Sequence, residues 1–350
     1  MNNNMTVGMD LGDKNNTVCV LDSAGEVVLR KEIVNTKESL VKFFKQYTGA
    51  LVAIEAGTHS PWISRALETL GCEVLVGNAR KLRVIWAAKN KCDGHDAEML
   101  ARIARVDRQL LYPVYHRGIE AQQDLAVLKT RDALVKARSL MVNHVRCTVK
   151  SVGCRIKKCS TDSFPRQSLE SLPEGLMPAL KPVIDEIDSL TDRIRAYDKQ
   201  IATLIDKRHA DAKRLSQVPG VGPVTSLGFV LSLEDAGRFK KSRAVGAYLG
   251  MTPKRDQSGE TDKQLHITRA GDELLRRLLV GCANYILGPH GPDSELRRFG
   301  KKIAMRGGKN AKRRAVVAVA RKLSVLLHRL WVTGEEYDPE YETNKARNVA

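Results

Sequence analysis

The sequence of 350 residues predicts an N-terminal α/β domain, then long helices, then a mostly helical C-terminal module. Three patterns indicate this fold class. Short β-branched segments separated by turn residues alternate with helical stretches near the N-terminus. A seven-residue apolar repeat follows in the middle of the chain. Turns that contain glycine and proline separate apolar helical stretches in the last third.

The N-terminal segment predicts three strands, TVGMDL, NTVCVLD and EVVLRKEIV. The links between them favour turns, so the strands form an antiparallel meander. A helix should begin after Thr36, whose hydroxyl can cap it, and a buried strand, ALVAIEA, should follow. Pro61 suits the first turn of the next helix. The strand CEVLVGN and helical segments to about Val106 complete the domain, which we place at residues 1–110.

Two long helices are predicted over residues 118–158 and 175–209. In the second, apolar residues recur at steps of four and three, as in the a/d seam of a coiled coil. The seam needs a partner, which is either the first helix folded back as a hairpin or the same helix of another protomer. We assign 111–210 to this coiled-coil-like helical segment, 211–335 to the C-terminal module and 336–350 to a polar, frayed tail. The seam consists of Val183, Ile187, Leu190, Ile194, Tyr197, Ile201 and Leu204.

The chain carries 58 Lys and Arg residues against 40 Asp and Glu, a formal net charge of +18 that indicates an acidic partner. The basic residues concentrate at 129–158, 254–277 and 297–322 and not on one amphipathic helix, which favours nucleic acid over a membrane surface. Aromatic residues make up 5% of the chain, which disfavours single-strand stacking platforms. No apolar run has the length of a membrane span and no signal-peptide pattern opens the sequence, so we expect a soluble cytoplasmic protein.

The seven cysteines are scattered without a CxxC pair, and we expect reduced thiols. Cys147, Cys154 and Cys159 lie near His144, but their spacing does not match that of a zinc finger.

Four carboxylates are expected to converge at one edge of the predicted sheet. Asp10 ends the first strand and Glu55 ends the fourth, so both project from the same edge if these strands are neighbours. Asp93 and Asp96, three positions apart on a predicted helix, share a face. Four acids together would bind two Mg²⁺ ions, which can clamp the attacking and leaving oxygens of a phosphodiester. Taken singly, the acids also suit turns, N-caps and solvated helix faces.

The segment LSQVPGVGPVTSLGFVLS has the form of a helix-hairpin-helix element. Gly220 and Gly222 would let the backbone approach a phosphate, which the amides at the start of the next helix would face. A plain helical-hairpin turn is the alternative. Ser258 follows further on in a polar loop, where a serine ordinarily serves a turn. His266 is favoured for a helix start or for packing, and a role as a base is the alternative. We assign nucleic-acid contacts to Lys129, Lys136, Arg138, Arg146, Lys150, Gly220, Gly222, Lys254, Arg255, Arg269, Arg276, Arg277, Lys309, Lys312 and Arg313.

These blocks resemble a known family. The element order is similar to the RNase H-like nuclease fold, and GMDLGDKNNTVCVLD, IEAGTHSPW and KNKCDGHDAEMLA resemble the three blocks of the DEDD transposases of bacterial insertion sequences, whose relatives include DNA invertases. The resemblance implies that Asp10, Glu55, Asp93 and Asp96 bind the catalytic Mg²⁺. It also selects Asp96 over Glu98, which the spacing alone does not.

TPKRDQSG and ITRAGDELLRR resemble the C-terminal transposase domain of the same family. This resemblance implies that Ser258 attacks DNA and forms a covalent phosphoserine link. The acidic Glu260 and Asp262 depart from the expected small or basic residues. The family also implies a tetramer, or dimer of dimers, with composite sites, and guidance by a structured bridge RNA that pairs with donor and target DNA in the bacterial cytoplasm.

We therefore predict an RNA-guided insertion-sequence transposase. The alternative is a metal-dependent endonuclease resembling Holliday-junction resolvases, or a DNA invertase, with water as the nucleophile and Ser258 in a structural role. A third possibility is a nonenzymatic architectural protein that binds nucleic acid by charge alone.

Overall fold

A five-stranded sheet forms the centre of the N-terminal unit. The computed structural model describes residues 5–85, 93–259 and 261–341, and the chain divides into two units, residues 1–118 and 119–350. The strands are β1 (Thr6–Leu11), β2 (Asn15–Leu21), β3 (Val27–Val34), β4 (Leu51–Glu55) and β5 (Glu73–Gly77), in the sheet order β3-β2-β1-β4-β5.

The sheet is antiparallel on one side and parallel on the other. β1 pairs antiparallel with β2, and β2 with β3, which confirms the predicted meander. β1 also pairs in parallel with β4, and β4 with β5. Parallel neighbours need crossover connections, which run through α1 (Lys37–Phe44) and α2 (Ser60–Thr69). The result is a mixed α/β domain consistent with the RNase H-like class.

Helices cover both faces of this sheet. On one face, alternate strand residues such as Val7, Met9 and Val52 pack against α1 and α2. On the other face lie the small residues Gly8 and Ala53, and there the sheet is covered by α4. The helices on this side are α3 (Ala79–Ile85) and α4 (Asp93–Val106).

Two long antiparallel helices open the second unit. They are α5 (Ile119–Ser151) and α7 (Met177–Arg208), with α6 (Phe164–Glu170) between them. The apolar seam of α7 is largely buried and packs against α5, so within this chain the seam's partner is the folded-back helix. Arg131 and Asp198 pair across the two helices at 2.6 Å. These helices, predicted as a segment between two modules, belong to the same unit as the C-terminal helices.

The remaining helices pack around one buried core. The central helix of that core is apolar and buried from Thr225 to Leu233. The helices are α8 (Ala210–Leu215), α9 (Pro223–Leu233), α10 (Arg243–Tyr248), α11 (Glu273–Leu287), α12 (Glu295–Ala304) and α13 (Ala311–Thr333). Short 3-10 turns lie at Lys45–Tyr47, Arg108–Leu111, Glu174–Leu176 and Ala236–Arg238.

Two features of this unit differ from the sequence-based expectation. Ser258, predicted to lie in a polar loop, belongs to a hairpin of β6 (Pro253–Ser258) and β7 (Thr261–Ile267). His266 is an exposed residue of β7, so the expected helix-start role is wrong. Residues 336–341, expected to be frayed, make specific contacts with α12 and α13. Residues 342–350 lie outside the described residues.

Within the described ranges, no helix combines the length and the apolar character needed to cross a membrane.

Candidate active site and nucleic-acid interface

The first turn of α4 lies at the carboxyl ends of β1 and β4. At the other end of the helix, Arg105 donates hydrogen bonds to the carbonyl oxygens of Asp22 (3.1 Å) and Ser23, in the β2–β3 turn. That turn lies beside the start of β1, because Thr6 pairs with Leu21. The helix therefore runs opposite to β1, and its first residues reach the edge where β1 and β4 end.

Asp10 and Glu55 are neighbours at this edge. The parallel register pairs Gly8 with Ala53, so two residues later Asp10 lies beside Glu55 on strands about 4.8 Å apart. Side chains alternate along a strand, so both carboxylates project from the face that carries Gly8 and Ala53. This is the face that α4 covers, and both acids are half-buried there.

Gly8 lets the backbones of β1 and α4 touch. A Cβ atom on Gly8 would lie 1.9 Å from the carbonyl oxygen of Ala97 and 2.7 Å from the amide nitrogen of Ala101. Ala97 and Ala101 are themselves fully buried. Three small residues therefore set the height of α4 above the strand that ends in Asp10.

Asp93 and Asp96 extend the sheet-facing stripe of α4 toward its N-terminus. Residues four apart share a helix face, and these two positions precede Ala97 and Leu100, which are buried against the sheet, by four residues each. Asp93 is the first residue of the helix, and its side chain lies outside the described residues. Asp96 is half-buried. The backbone thus places four acids at one edge of the domain.

Glu98, the competitor of Asp96 in the sequence, has a structural role. Its carboxylate accepts hydrogen bonds from Arg102, at 2.8 Å, and from Arg30 on β3. These two guanidinium groups hold the pKa of Glu98 below its usual range, with Arg102 the larger cause. Glu98 therefore connects α4 to β3, on the antiparallel side of the sheet and away from Asp10. Among the described residues, Asp96 forms no comparable ion pair.

The loops after β1 and β4 meet at the same edge. His59 Nε2 lies 3.3 Å from Asp13 Oδ1, and Trp62 Nε1 donates to His59 Nδ1 at 3.3 Å. The Ser60 hydroxyl accepts from the Gly57 amide at 2.9 Å and closes the turn after Glu55. The sequence patterns predicted no role for Asp13 or His59, although Asp13 lies in the block GMDLGDKNNTVCVLD and His59 in the block IEAGTHSPW. Asp13 and His59, in the loops that follow β1 and β4, therefore border the sheet edge that carries Asp10 and Glu55.

The donor set suits a hard divalent cation. Asp10, Glu55 and Asp96 offer only carboxylate oxygens, the ligands that Mg²⁺ prefers. Among the described residues no three His, Cys, Asp or Glu side chains are grouped closely enough to hold a metal, and the Asp93 side chain is outside that description. The donor chemistry therefore suits a hard divalent cation in general and does not select one metal.

Ser258 lies at the tip of an exposed hairpin. It is the last residue of β6 and pairs with Thr261 of β7. Gly259 follows in the left-handed conformation, with φ of 53°, as two-residue hairpin turns require. Glu260 lies outside the described residues. The hydroxyl-bearing residue is therefore presented to solvent by a short two-stranded ladder.

Asp262, which stands where the family resemblance leads us to expect a small or basic residue, pairs with a basic side chain of the same hairpin. Arg255 Nη2 donates to Asp262 Oδ2 at 2.6 Å across the hairpin, and Nε donates to Oδ1 at 2.9 Å. This bidentate hydrogen bonding raises the pKa of Arg255 further above its usual value. Asp262 thus orients one of the two basic side chains that precede Ser258.

Both units match transposase families. Residues 7–153 match a model described as a transposase of the DEDD type of IS110, and residues 212–299 match one described as the transposase IS116/IS110/IS902 family. The chain is 26% identical over 339 residues to the transposase for insertion sequence element IS1111A of Coxiella burnetii, spanning 95% of this chain and 90% of the relative. The chain belongs to the IS110/IS116 transposase family.

Two further relatives extend the comparison. A putative transposase of Sinorhizobium fredii, y4pF/y4sB, is 28% identical over 345 residues, covering 95% of this chain and 85% of its own length. A pilin gene-inverting protein of Moraxella bovis is 28% identical over 143 residues, or 40% of this chain and 43% of the relative. The likeness to named transposases is therefore spread over nearly the whole chain.

Several basic residues predicted to contact nucleic acid in this transposase serve packing instead. Arg138 is buried and donates to Asp162 Oδ1 (2.9 Å) and the Thr191 hydroxyl (3.1 Å). Arg146 lies against the Phe164 ring, 5.0 Å from its centroid, and donates to the carbonyl oxygens of the following loop. Arg276 donates to the carbonyl oxygens of Leu249 and Ala270. We therefore leave Arg138, Arg146 and Arg276 out of the proposed contact surface.

Other members of the predicted set are exposed. Arg277 of α11 donates to Asp132 of α5 at 2.6 Å, and Lys136 pairs with the same carboxylate at 3.0 Å. This pairing joins two basic helices around one acid. Arg269 holds a left-handed backbone, with φ of 54°, a strained state for a residue with a side chain. The exposed members with no ion pair among the described residues are Lys129, Lys150, Lys254, Lys309, Lys312 and Arg313.

The turn between α12 and α13 forms a second exposed basic tip. Gly307 and Gly308 both have positive φ, 73° and 88°, and reverse the chain. The first turn of α13 contains no acidic residue, so its cations oppose the helix dipole unless an anion binds there. The tip carries Lys301, Lys302, Arg306, Lys309, Lys312 and Arg313, all exposed.

The turn before α9 has the geometry expected of its glycines. Gly220 has φ of 86°, and a Cβ atom there would lie 2.7 Å from the Tyr285 ring. Gly222 precedes Pro223 at the start of the helix and has no neighbouring atom within 4 Å of an added Cβ. The backbone at Gly222 is therefore open to a ligand, whereas Gly220 is required by packing against α11.

The cysteines behave as free thiols within the described residues. Cys147 and Cys154 are exposed, and Cys159 accepts a hydrogen bond from Arg146 Nη2 at 3.3 Å. Cys92 lies outside the described residues.

Proposed function

We propose that this chain is an RNA-guided insertion-sequence transposase that cuts and rejoins DNA through a phosphoserine intermediate at Ser258. The observation that carries the proposal is the convergence of Asp10, Glu55 and the first turn of α4 at one sheet edge, in a chain with both transposase family matches. The exposed position of Ser258 on a hairpin tip supports its role as a nucleophile.

The proposed chemistry is a reversible exchange of phosphodiesters. The Ser258 hydroxyl loses its proton as Oγ forms a bond to phosphorus, and the bond from phosphorus to one deoxyribose oxygen breaks. The leaving deoxyribose oxygen takes up a proton. Attack by a deoxyribose hydroxyl of another strand on the phosphoserine reverses these steps, so no external energy source is needed.

The carboxylates supply the electrostatic part of the reaction. Asp10, Glu55, Asp93 and Asp96 would hold two Mg²⁺ ions, which would polarise a phosphate oxygen when bound. The rigid sheet edge beneath Asp10 and Glu55 keeps the two carboxylates in fixed register. Preorganised charge of this kind stabilises a phosphoryl transition state better than mobile side chains do.

The partners follow from charge. A net charge of +18 with exposed basic tips on the second unit supports binding to donor and target DNA and to a structured bridge RNA that provides sequence recognition. We propose a homotetramer, or dimer of dimers, acting on the bacterial nucleoid in the cytoplasm.

A covalent adduct tests the mechanism. The whole protein with Mg²⁺, bridge RNA and cognate DNA should give a protein–DNA adduct that survives denaturation, and Ser258→Ala should abolish it. Ser151→Ala, which changes another exposed serine of the same unit, is the matched control and should leave the adduct unchanged. An adduct that persists in Ser258→Ala would refute the serine mechanism.

A second candidate is site-specific inversion of DNA. The 28% identity to a pilin gene-inverting protein over 143 residues favours it. The two functions share cleavage chemistry and differ in the arrangement of sites. Incubation with a plasmid that carries two inverted sites distinguishes them, because inversion changes the orientation of the intervening segment without releasing it.

A further inference from the structure

An acidic segment near the C-terminus lies on a basic face of the second unit. Residues 335–341 have the sequence EEYDPEY, with carboxylates at 335, 336, 338 and 340. Helix α13 ends at Thr333, and Gly334 adopts the left-handed conformation with φ of 71°. The chain therefore turns back and runs toward the start of α12.

Backbone hydrogen bonds fix the path of this segment. The Pro339 carbonyl oxygen accepts from the Glu295 amide at 3.1 Å, one of the amides that the first turn of α12 leaves without an intrahelical partner. The Tyr337 amide donates to Gln217 Oε1 at 3.1 Å. The main chain of the segment is thus attached at two points, to the start of α12 and to the turn between α8 and α9.

Its acidic and aromatic side chains cover cations. Arg298 of α12 pairs with both oxygens of Glu340. Arg329 of α13 lies 3.8 Å from a Glu335 oxygen, and its guanidinium carbon is 3.4 Å from the centroid of the Tyr341 ring. Beside them is an open cavity of about 430 Å³, lined on one side by the segment. Its other side carries the cations Lys241, just before α10, and Arg243, Lys322 and Arg329 on the helices, together with the acid Glu295 of α12.

The contacts with residues 335–341 leave part of the hydrogen-bonding capacity of Arg329 unused. Its Nε and Nη2 atoms are buried and have no hydrogen-bond acceptor within the described residues. Leaving buried donors unpaired destabilises the covered state. A phosphate would supply two oxygen acceptors that can pair bidentately with the guanidinium group. The acidic segment is therefore a weaker partner for Arg329 than a phosphodiester.

The covered face continues into the exposed basic tip of α12 and α13. Arg298 and Lys302 lie four residues apart on α12 and share a face of that helix. A polyanion that followed this face would meet cations from Arg329 to the tip.

We propose that the face of α12 and α13 around Arg298, Lys322 and Arg329 binds a nucleic-acid phosphate backbone, and that residues 335–341 compete for it as an acidic cover. This rests on the proposed nucleic-acid function and adds a contact surface and its competitor to it. Displacement of the segment exchanges imperfect carboxylate contacts for phosphate contacts.

Neutral variants of the cover test the proposal. Glu335→Gln with Glu340→Gln removes the two carboxylates that face Arg329 and Arg298 while keeping side-chain size. Glu174→Gln with Glu186→Gln, at exposed positions that form no ion pair within the described residues, changes the net charge equally and is the matched control. Fluorescence anisotropy of a short DNA duplex of arbitrary sequence measures affinity over a range of salt concentrations.

The cover variant should bind the duplex roughly three- to tenfold more tightly than the control variant. For the cover variant, the slope of log affinity against log salt concentration should be steeper by about one to two, because additional phosphates are neutralised. Adding Arg298→Met and Arg329→Met to the cover variant should remove this gain. Equal affinities of the cover and control variants, or weaker binding by the cover variant, would overturn the proposal.

Hydrogen exchange provides a second measurement on the unmodified chain. Duplex binding should accelerate amide exchange of residues 335–341, since the segment is displaced. Slower exchange there would overturn the proposal, because the segment would then belong to the bound interface. Absence of duplex binding by every variant would instead refute the nucleic-acid function on which the proposal rests.

Discussion

The contact between β1 and α4 at Gly8 provides a direct test of how the acidic edge is built. Gly8→Ala adds one methyl group to the strand that ends in Asp10. That Cβ atom would lie 1.9 Å from the Ala97 carbonyl oxygen and 2.7 Å from the Ala101 nitrogen. Both neighbours are backbone atoms of a helix, so no side-chain rotation relieves the overlap.

The structure gives the size of the effect. Nonbonded carbon atoms prefer heavy-atom separations of about 3.5 Å, so α4 must retreat by roughly 1.5 Å. Overpacking of this kind costs about 1–3 kcal/mol of unfolding free energy. The same movement shifts Asp96 relative to Asp10 and Glu55. Because a misplacement of about 1 Å can reduce catalysis roughly a hundredfold, cleavage should fall by about that factor.

Hydrogen exchange and DNA cleavage measure these two effects. Amides of residues 93–106 should exchange faster in Gly8→Ala, while those of α13 in the other unit should not change. Gly57→Ala is the control, since an added Cβ there has no atom within 4 Å and the position lies just after β4. Wild-type exchange and cleavage in Gly8→Ala would refute the inferred close contact and the role assigned to it.

Three further outcomes are expected. In urea unfolding, Glu98→Gln should lower stability by about 1–2 kcal/mol, a range that allows for solvent screening of its partners, and the variant should keep residual cleavage activity. Asp96→Asn should instead abolish cleavage and leave the stability nearly unchanged. Because hydrogen bonds from Arg102 and Arg30 hold the pKa of Glu98 below its usual range, its contribution to stability is present at neutral pH and is lost as pH falls through that lowered pKa, so wild type and Glu98→Gln should converge in stability only at pH values below it. Arg138→Met should lower stability by about 2–3 kcal/mol without changing DNA affinity, whereas Lys129→Met should reduce the salt slope of DNA binding by about one without changing stability.

The sheet and its acidic edge were predictable because local patterns determine them. Alternating apolar residues identified the strands, and Asp10 and Glu55 stood at strand ends where β1 and β4 are neighbours. The preference for Asp96 over Glu98 could not come from spacing, since both lie on one helix. It depends on Arg30, a residue 68 positions from Glu98 that takes up its carboxylate.

The hairpin that carries Ser258 left little signal in the sequence. Every residue of β6 is exposed, so the strand lacks the alternation of apolar and polar residues that identifies a half-buried strand. The burial of Arg138 was equally hidden, because a basic residue in a basic helix gives no local indication that Asp162 and Thr191 will enclose it. The first error arises from a strand that has no buried face, and the second from contacts distant in sequence.

The two sets of proposed catalytic residues are held in different ways. Asp10 and Glu55 rest on neighbouring strands of a buried sheet, under a helix whose height Gly8 fixes. Ser258 rests on an exposed two-stranded ladder. A serine hydroxyl is a weak nucleophile until a base or a metal-polarised phosphate assists it, and an exposed tip provides neither by itself. Under the proposed mechanism, binding of DNA would bring the activation of Ser258, and the serine would be unreactive in its absence.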